Sequence, residues 1–391
     1  MKKEIIILGS TGSIGKSIIK ILRKNKKSFS IKILTTNNNI STIYYQAIEF
    51  KVNIVVIRNK VKYEKYKNKF KYKNINVFFN INDAVKSLKK KVYYSINGIS
   101  GINGLLPTIS VIPYTKNLAI ANKESIICGW KFIKKELKKN NTNFIPIDSE
   151  HFSIWRLLKN ENIKNVNKIY LTASGGPFLS KKLSQIKNIK SKYALMHPNW
   201  KMGKKISIDS ATMMNKIFEI IEAVKIFELN INKFGIIIHP TSYIHSIIQF
   251  KTGISKMLIH ETSMEVPILN SLHLNNDEFL YKKEKFNFSI LNGTNFINPD
   301  VKKFICLKIL KNMKLKNTYF ETILVSLNDY LVKMYLNDQI SFIFLQKKLI
   351  NLTKHPYFKK YYGLCPNNIK DIENMVEKVN IFLDKMFLKK N

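Results

Sequence analysis

Arginine, cysteine and acidic residues are scarce in this chain, and each shortage excludes something. Of 66 basic residues only Arg23, Arg58 and Arg156 are arginine, the side chain whose planar fork suits bidentate contacts to bases and phosphates. A formal net charge of +40 would otherwise mark a nucleic-acid surface. The excess is lysine spread along the whole chain among many Asn and Ile, which reads as drift toward A-rich codons in an AT-rich, reduced bacterial genome. No nucleic-acid partner is expected. The three cysteines, Cys128, Cys306 and Cys365, are far apart, show no metal-ligand spacing and cannot all pair within one chain; they are expected as reduced thiols. No uncharged apolar run reaches the ~18 to 20 residues that cross a bilayer, so no membrane span is expected. An apolar strand follows Met1-Lys2-Lys3-Glu4 directly, with no signal or transit peptide before it, and the expected location is the cytoplasm.

What the chain does have is core material. Hydrophobic residues make up 45% of 391 and aromatics 12%, enough for two or three domains at roughly 100 to 200 residues each. Residues 1–149 alternate short apolar runs (Ile5 to Leu8, Ile31 to Leu34, Ile54 to Ile57, Val92 to Tyr94, Leu118 to Ala121, Phe144 to Ile147) with helical spacings such as Ile14, Ile18, Ile21, Leu22. That alternation predicts an α/β, doubly wound parallel sheet. Residues 150–274 change character. Strands are expected near Lys168 to Ala173 and Gly235 to His239, with a hairpin around Gly253, giving an α+β domain with antiparallel pairing. Residues 275–300 are polar and read as a linker. Residues 301–391 carry a helical pattern (Phe304, Leu307, Leu310, Met313), interrupted near Pro356 and Pro366, and predict a C-terminal helical bundle.

The first apolar run enters Gly9-Ser10-Thr11-Gly12-Ser13-Ile14-Gly15 and then a helix. Strand, glycine turn and helix are the context a dinucleotide fingerprint needs, because glycines let backbone approach a pyrophosphate and the helix start attracts its charge. The alternative is a plain tight turn. The second strand ends in Thr35-Thr36-Asn37-Asn38-Asn39, without the carboxylate that would favour NAD. That absence leans toward NADP.

Polar chemistry concentrates in six segments: Asn122-Lys123-Glu124-Ser125, Asp148-Ser149-Glu150-His151, Ser174-Gly175-Gly176-Pro177, the run from His197 to Gly203, Asp209-Ser210-Ala211-Thr212, and Asn215-Lys216 with Glu219. In extended chain Asp148 and Glu150 would point to one side, as a hard, oxygen-seeking cation requires. Residues 211–228 have helical spacing, which sets Asn215 and Glu219 on one face with Lys216 beside them. Singly, these carboxylates read as a solvated turn and a surface helix residue; together they suggest a metal next to a phosphate site.

The strings Ala121 to Ser125, Asp148 to His151, His197-Pro198-Asn199-Trp200 and Asp209 to Lys216 resemble the 1-deoxy-D-xylulose 5-phosphate reductoisomerase family, and the likeness runs from Gly9 into the C-terminal region. The resemblance implies an NADPH-dependent and metal-dependent rearrangement and reduction of 1-deoxy-D-xylulose 5-phosphate to 2-C-methyl-D-erythritol 4-phosphate, in non-mevalonate isoprenoid biosynthesis. It implies NADPH contacts from Thr11, Gly12, Ser13, Ile14, Asn122, Glu124 and Gly203, and Mg²⁺ or Mn²⁺ ligands Asp148, Glu150 and Glu219. Lys123, Ser149, Glu150, Ser174, His197, Ser210, Asn215, Lys216 and Glu219 would then form the substrate site, with Lys123 and His197 counted among the catalytic groups. Trp200 and Met202 look like the apolar lip of a closing loop, and a homodimer through the middle domain is implied.

The chain departs from the family at three places. Asn37 and Asn38 stand where Gly and Lys are usual before the ribose-contacting Asn39, so a positive partner for the cofactor's 2′-phosphate is missing. Ile217 and Phe218 are bulkier than expected before Glu219, and Asn328-Asp329 replaces Asn-Glu. Two rival readings remain at this point: a metal-free Rossmann dehydrogenase, whose activity would survive EDTA, and a lysine-rich binding protein, marked by salt-dependent nucleic-acid binding.

Overall fold

Strands covered by helices on both faces need continuous apolar runs rather than alternating ones, and Ile5, Ile6, Ile7 and Leu8 are all fully buried. They belong to β1 (Lys3–Leu8), followed by β2 (Phe29–Thr36), β3 (Ile54–Ile57), β4 (Asn76–Phe78), β5 (Val92–Asn97), β6 (Thr115–Ile120) and β7 (Asn143–Pro146) in the computed structural model of the protein. All pair in parallel, in the order β4-β3-β2-β1-β5-β6-β7. The order reverses between β1 and β5, and ligands of such sheets bind outside the strand ends at that switch point. The helices are α1 (Ser13–Lys24), α2 (Ile40–Glu49), α3 (Lys60–Lys71), α4 (Ile81–Lys86), α5 (Leu105–Val111), α6 (Lys123–Lys139) and α7 (Ser149–Leu157). The structure describes residues 2–200, 202–274, 288–313, 315 and 317–388.

A second sheet holds β8 (Val166–Ala173), β9 (Phe234–Ile238), β10 (Ile244–Phe250) and β11 (Ser255–Ile259) in the order β11-β10-β8-β9. The expected antiparallel pairing is found for β10 with β8 and with β11 across the Gly253 hairpin, but β8 and β9 run parallel. Short helices α8 (Leu183–Ile186) and α9 (Ser191–Ala194) precede α10 (Lys204–Ala211) and α11 (Met214–Phe227). Ile220 and Ala223 of α11 join Ile154, Leu171 and Ile248 in one apolar core.

After α12 (Glu265–Leu272) come α13 (Tyr319–Leu336), α14 (Phe342–Thr353), α15 (Pro356–Lys359) and α16 (Ile369–Leu388). Pro356 opens α15, where its missing N–H costs nothing. The segment Ile305–Asn312, expected as α-helix, is 3₁₀. Of the expected linker, 275–287 lies outside the described residues; the rest contains a 3₁₀ turn, Phe288–Leu291, and a bridge from Ile297 to Ile238.

The described residues fall into two compact units, 2–152 with 264–274 and 153–263 with 288–388. In the first, α12 returns to the parallel sheet: Ser271 shares a 2.6 Å hydrogen bond with the buried Tyr94 hydroxyl, and Lys20 pairs with Glu265 at 2.5 Å.

Candidate active site

In the first unit the glycine turn is shaped by contacts no side chain would allow. Gly9 has φ +78°, and a Cβ on Gly15 would lie 2.3 Å from the Gly9 carbonyl oxygen and 2.5 Å from Ser10 backbone. Asn39, Asn59, Asn80 and Asn122 cap α2, α3, α4 and α6 with their side chains, whereas α1 starts at Gly12 without a side-chain cap. The N–H groups of Thr11, Ser13 and Ile14 have no acceptor among the described residues. An uncapped helix start with free N–H groups is an anion site, and this cradle fits a dinucleotide pyrophosphate. The turn is tied to the end of β2: Gly9 N–H donates to Thr35 Oγ1 at 2.7 Å, and the Thr11 and Thr36 hydroxyls share a 2.9 Å bond.

Asn37, Asn38 and Asn39 are exposed beyond β2. Asn39 spends its side chain on the α2 cap, accepting from Thr42 N–H at 3.1 Å. Asn122 is similarly engaged. Its Oδ1 accepts from Ser125 N–H at 2.6 Å while its amide donates to the Ile99 and Gly101 carbonyls. Glu124, in the first turn of α6, is buried.

The extended geometry expected for Asp148 and Glu150 does not hold. Phe152 N–H donates to the Asp148 carbonyl at 2.7 Å, so Asp148 is the residue that starts α7 and Glu150 sits in its first turn. The carboxylates nevertheless come within 4.8 Å of each other, gathered at a helix start whose partial positive charge favours them. Lys123 Nζ donates to Asp148 Oδ2 at 2.7 Å, and Ser149 Oγ donates to Glu150 Oε2 at 2.7 Å. His151 Nδ1 lies 3.8 Å from Asp148 Oδ2. Two hard oxygen donors at this spacing suit Mg²⁺ or Mn²⁺.

The second unit gathers the other group. Asn215 Nδ2 donates to Glu219 Oε1, and Lys216 Nζ lies 2.6 Å from Glu219 Oε2, with Lys216 and Glu219 both buried. The amide and ammonium expected to hold phosphate thus hold a carboxylate of their own helix. Met213, at φ +63°, makes the sharp junction between α10 and α11. A Cβ on Gly176 would lie 3.3 Å from the Ser210 carbonyl oxygen, so the Ser174 turn sits against the end of α10. Gly203 starts α10 and is exposed.

His197 joins this group. Its Nδ1 accepts the N–H of Trp200 at 3.0 Å and of Asn199 at 3.2 Å, and its Nε2 is 2.9 Å from Ser174 Oγ. With two donors aimed at Nδ1, the proton of the neutral ring belongs on Nε2. Burial, assisted by the Lys216 charge, pushes the His197 pKa down to about 4. Trp200 is half-buried with its ring edge-on to His245 at 5.9 Å; Lys201 in the same loop lies outside the described residues.

The sequence pattern singled out Asp209 and Asn328-Asp329 but not that they meet, with Lys205, to brace α10. Asn328 Nδ2 donates to buried Asp209 at 2.7 Å, and Lys205 reaches both Asp209 and Asp329 at 3.0 Å. The shorter Asp329 therefore still forms its ion pair. Phe218 is accommodated by full burial beneath the Lys205 ammonium, 5.1 Å from its ring centre. The four-residue spacing of Lys205 and Asp209 signalled their ion pair.

Comparison with known proteins identifies the family. Profiles of 1-deoxy-D-xylulose 5-phosphate reductoisomerase match residues 5–129, and those of its C-terminal domains match 144–227 and 259–380. The reductoisomerase of Pelagibacter ubique is 47% identical over 386 residues, 98% of this chain and 99% of that one. The Wolbachia enzyme from Culex pipiens is 37% identical over 95% and 94%. The Zymomonas mobilis reductoisomerase in complex with NADPH superposes with a TM-score of 0.86 at 27% identity, covering 97% and 98%. A DOX-P reductoisomerase complex with NADPH, fosmidomycin and magnesium gives 0.89 at 27%, covering 100% and 99%. With profile matches across most of its length and relatives of this likeness, the chain belongs to the 1-deoxy-D-xylulose 5-phosphate reductoisomerase family.

Proposed function

We infer that this chain rearranges and reduces 1-deoxy-D-xylulose 5-phosphate to 2-C-methyl-D-erythritol 4-phosphate, using NADPH and a divalent cation, as a step of isoprenoid biosynthesis. The observation that carries the reading is the Asp148 and Glu150 pair beside Lys123, which a simple dehydrogenase does not need. NADPH and magnesium are bound by the related reductoisomerase, and the chemistry of the residues here suits both groups.

The free N–H groups of Thr11, Ser13 and Ile14 at the start of α1 would hold the pyrophosphate, with Asn37 to Asn39 at the ribose end and Asn122, Glu124 and Gly203 along the rest of the cofactor. Asp148, Glu150 and Glu219 are the proposed cation ligands. A bound divalent cation would stabilise the oxygen charge that develops as the carbon skeleton rearranges. Lys123, oriented by Asp148, places an ammonium where it can hold a proton for a substrate oxygen. Ser149 and Glu150 would take substrate hydroxyls. Ser174, Ser210, Asn215 and Lys216 would hold the phosphate, with Asn215 and Lys216 exchanging Glu219 for it. Neutral His197 donates through Nε2–H and keeps Ser174 in place, while Trp200 and Met202 would exclude water.

The functional division that goes with this reading is a cofactor domain at 1–149, a catalytic and dimerisation domain at 150–274, a linker at 275–300 and a helical domain at 301–391. A homodimer is supported by β11, which lies at the edge of its sheet among the described residues with Met257 exposed. No helix among the described residues is long and apolar enough to cross a membrane; a cytoplasmic location goes with this reading. The cation assignment is tested by Glu150→Gln and Glu219→Gln. Each is expected to lower turnover at least ~100-fold, the range for displaced metal and charge stabilisation, and to weaken Mn²⁺ binding measured by electron paramagnetic resonance. Unchanged Mn²⁺ affinity in both variants would remove these ligands from the scheme.

A further inference from the structure

We propose that Lys62 is the cation that recognises the 2′-phosphate of NADPH, replacing the basic residue missing from the loop after β2. The inference rests on the NADPH reading above and adds a specificity-determining residue to it. In doubly wound sheets the end of the second strand meets the adenosine ribose, and a basic group there selects the phosphorylated cofactor. In this chain that position reads Asn37-Asn38-Asn39 and carries no charge.

The charge arrives from α3. Lys62 Nζ lies 2.8 Å from the Asn38 carbonyl oxygen. Asn59 ties the two segments together: its Oδ1 accepts the Lys62 main-chain N–H at 3.0 Å as the α3 cap, and its Nδ2 donates to Asn38 Oδ1 at 2.9 Å. Arg58 N–H donates to the Thr36 carbonyl at 3.0 Å, so the loop before α3 is laced to the end of β2. The Thr11 and Thr36 hydroxyls then connect the same strand end to the pyrophosphate turn at 2.9 Å.

Ribose loop, ammonium and glycine turn are therefore one continuous surface at the correct end of the sheet. An ammonium has three N–H donors, and the Asn38 carbonyl takes one. Lys62 makes no ion pair with a carboxylate among the described residues, so its charge is available to an anion. The first turn of α3 adds the positive end of a twelve-residue helix. Lys62 is half-buried, which limits the entropy lost when it is fixed. A 2′-phosphomonoester would meet the ammonium with the exposed Asn37 to Asn39 amides as neutral donors around it.

The test is titration of the full-length enzyme with NADPH and with NADH, followed by the fluorescence of the reduced nicotinamide, for wild type, Lys62→Ala, Lys62→Arg and Lys60→Ala. Removing one charge-assisted contact should weaken NADPH about tenfold and NADH less than about twofold, at an unchanged melting temperature. Lys62→Arg should keep the preference, and Lys60→Ala, at the exposed first position of the same helix and with no hydrogen bond to Asn38, should leave it intact. Competition by adenosine 2′,5′-bisphosphate should fall by the same factor as NADPH in Lys62→Ala. An unchanged NADPH to NADH ratio in Lys62→Ala, or an equal loss for both cofactors, overturns the inference while leaving the function standing. Wild-type enzyme that binds neither cofactor overturns both.

Discussion

His197 gives the sharpest link between the geometry and a measurable quantity. Its folded pKa is pushed down to about 4 by burial and by Lys216, while an unfolded imidazole titrates near 6.5. Between those values the unfolded chain takes a proton that the folded chain refuses. Stability from this site is therefore complete above pH 6.5 and is lost as pH falls toward 4. The full difference corresponds to roughly 3 kcal/mol at about 1.4 kcal/mol per unit. Because the ring keeps some access to water, solvent screening reduces the expected effect to about 1 to 2 kcal/mol. Protonation must also break the Trp200 and Asn199 N–H bonds to Nδ1. The perturbation is His197→Gln, which removes the titration, and the assay is urea unfolding of both proteins at pH 7.5 and 4.5. Carboxylates common to both contribute equally, so wild type should lose about 1 to 2 kcal/mol more than the variant on acidification. Equal losses, or a larger loss in the variant, would refute the assignment of a buried neutral ring.

Gly15→Ala should raise the NADPH dissociation constant at least about tenfold and cost ~1 to 3 kcal/mol of stability, because the new Cβ meets backbone at 2.3 Å rather than a movable side chain; wild-type cofactor titration and melting temperature would contradict this. Lys225, at the end of α11, lies 3.2 Å from Glu321 and 2.7 Å from Asn317 with both charged side chains buried. Lys225→Met should destabilise by about 3 to 5 kcal/mol by leaving Glu321 charged and buried. Adding Glu321→Leu should recover much of the loss in a denaturation series, and a double variant no better than the single would argue against a buried ion pair.

Much of the first unit was legible because its strands are covered on both faces, so Ile5 to Leu8 and Ile54 to Ile57 stand out as unbroken apolar runs. β4 escaped notice because three residues at the sheet edge, none of them fully buried, make no such run. Local pattern also cannot show that α12 returns to a strand some 177 positions earlier through Ser271 and Tyr94. Two misreadings left traces in the residues themselves. Phe304, Leu307, Leu310 and Met313 recur strictly every third residue, which is the 3₁₀ period rather than the α-helical one. Asp148 followed by Ser149 and Glu150 is a helix-start signature, and taking it as extended chain gave the correct pairing of carboxylates for the wrong reason. The Lys216 to Glu219 contact was implicit in the helical spacing, but its burial depends on packing that distant residues supply. Lys62 looked like one more solvated lysine on a helix crowded with them, and only its reach to Asn38 distinguishes it.

The measurement that bears most directly on the function follows the absorbance of NADPH while the ketose phosphate, the cation and the cofactor are omitted in turn. Consumption is expected only when 1-deoxy-D-xylulose 5-phosphate and Mg²⁺ or Mn²⁺ are both present, and it should stop on addition of EDTA and resume with excess Mn²⁺. NADPH oxidation that continues in EDTA, or that proceeds with no phosphorylated ketose supplied, would contradict the account.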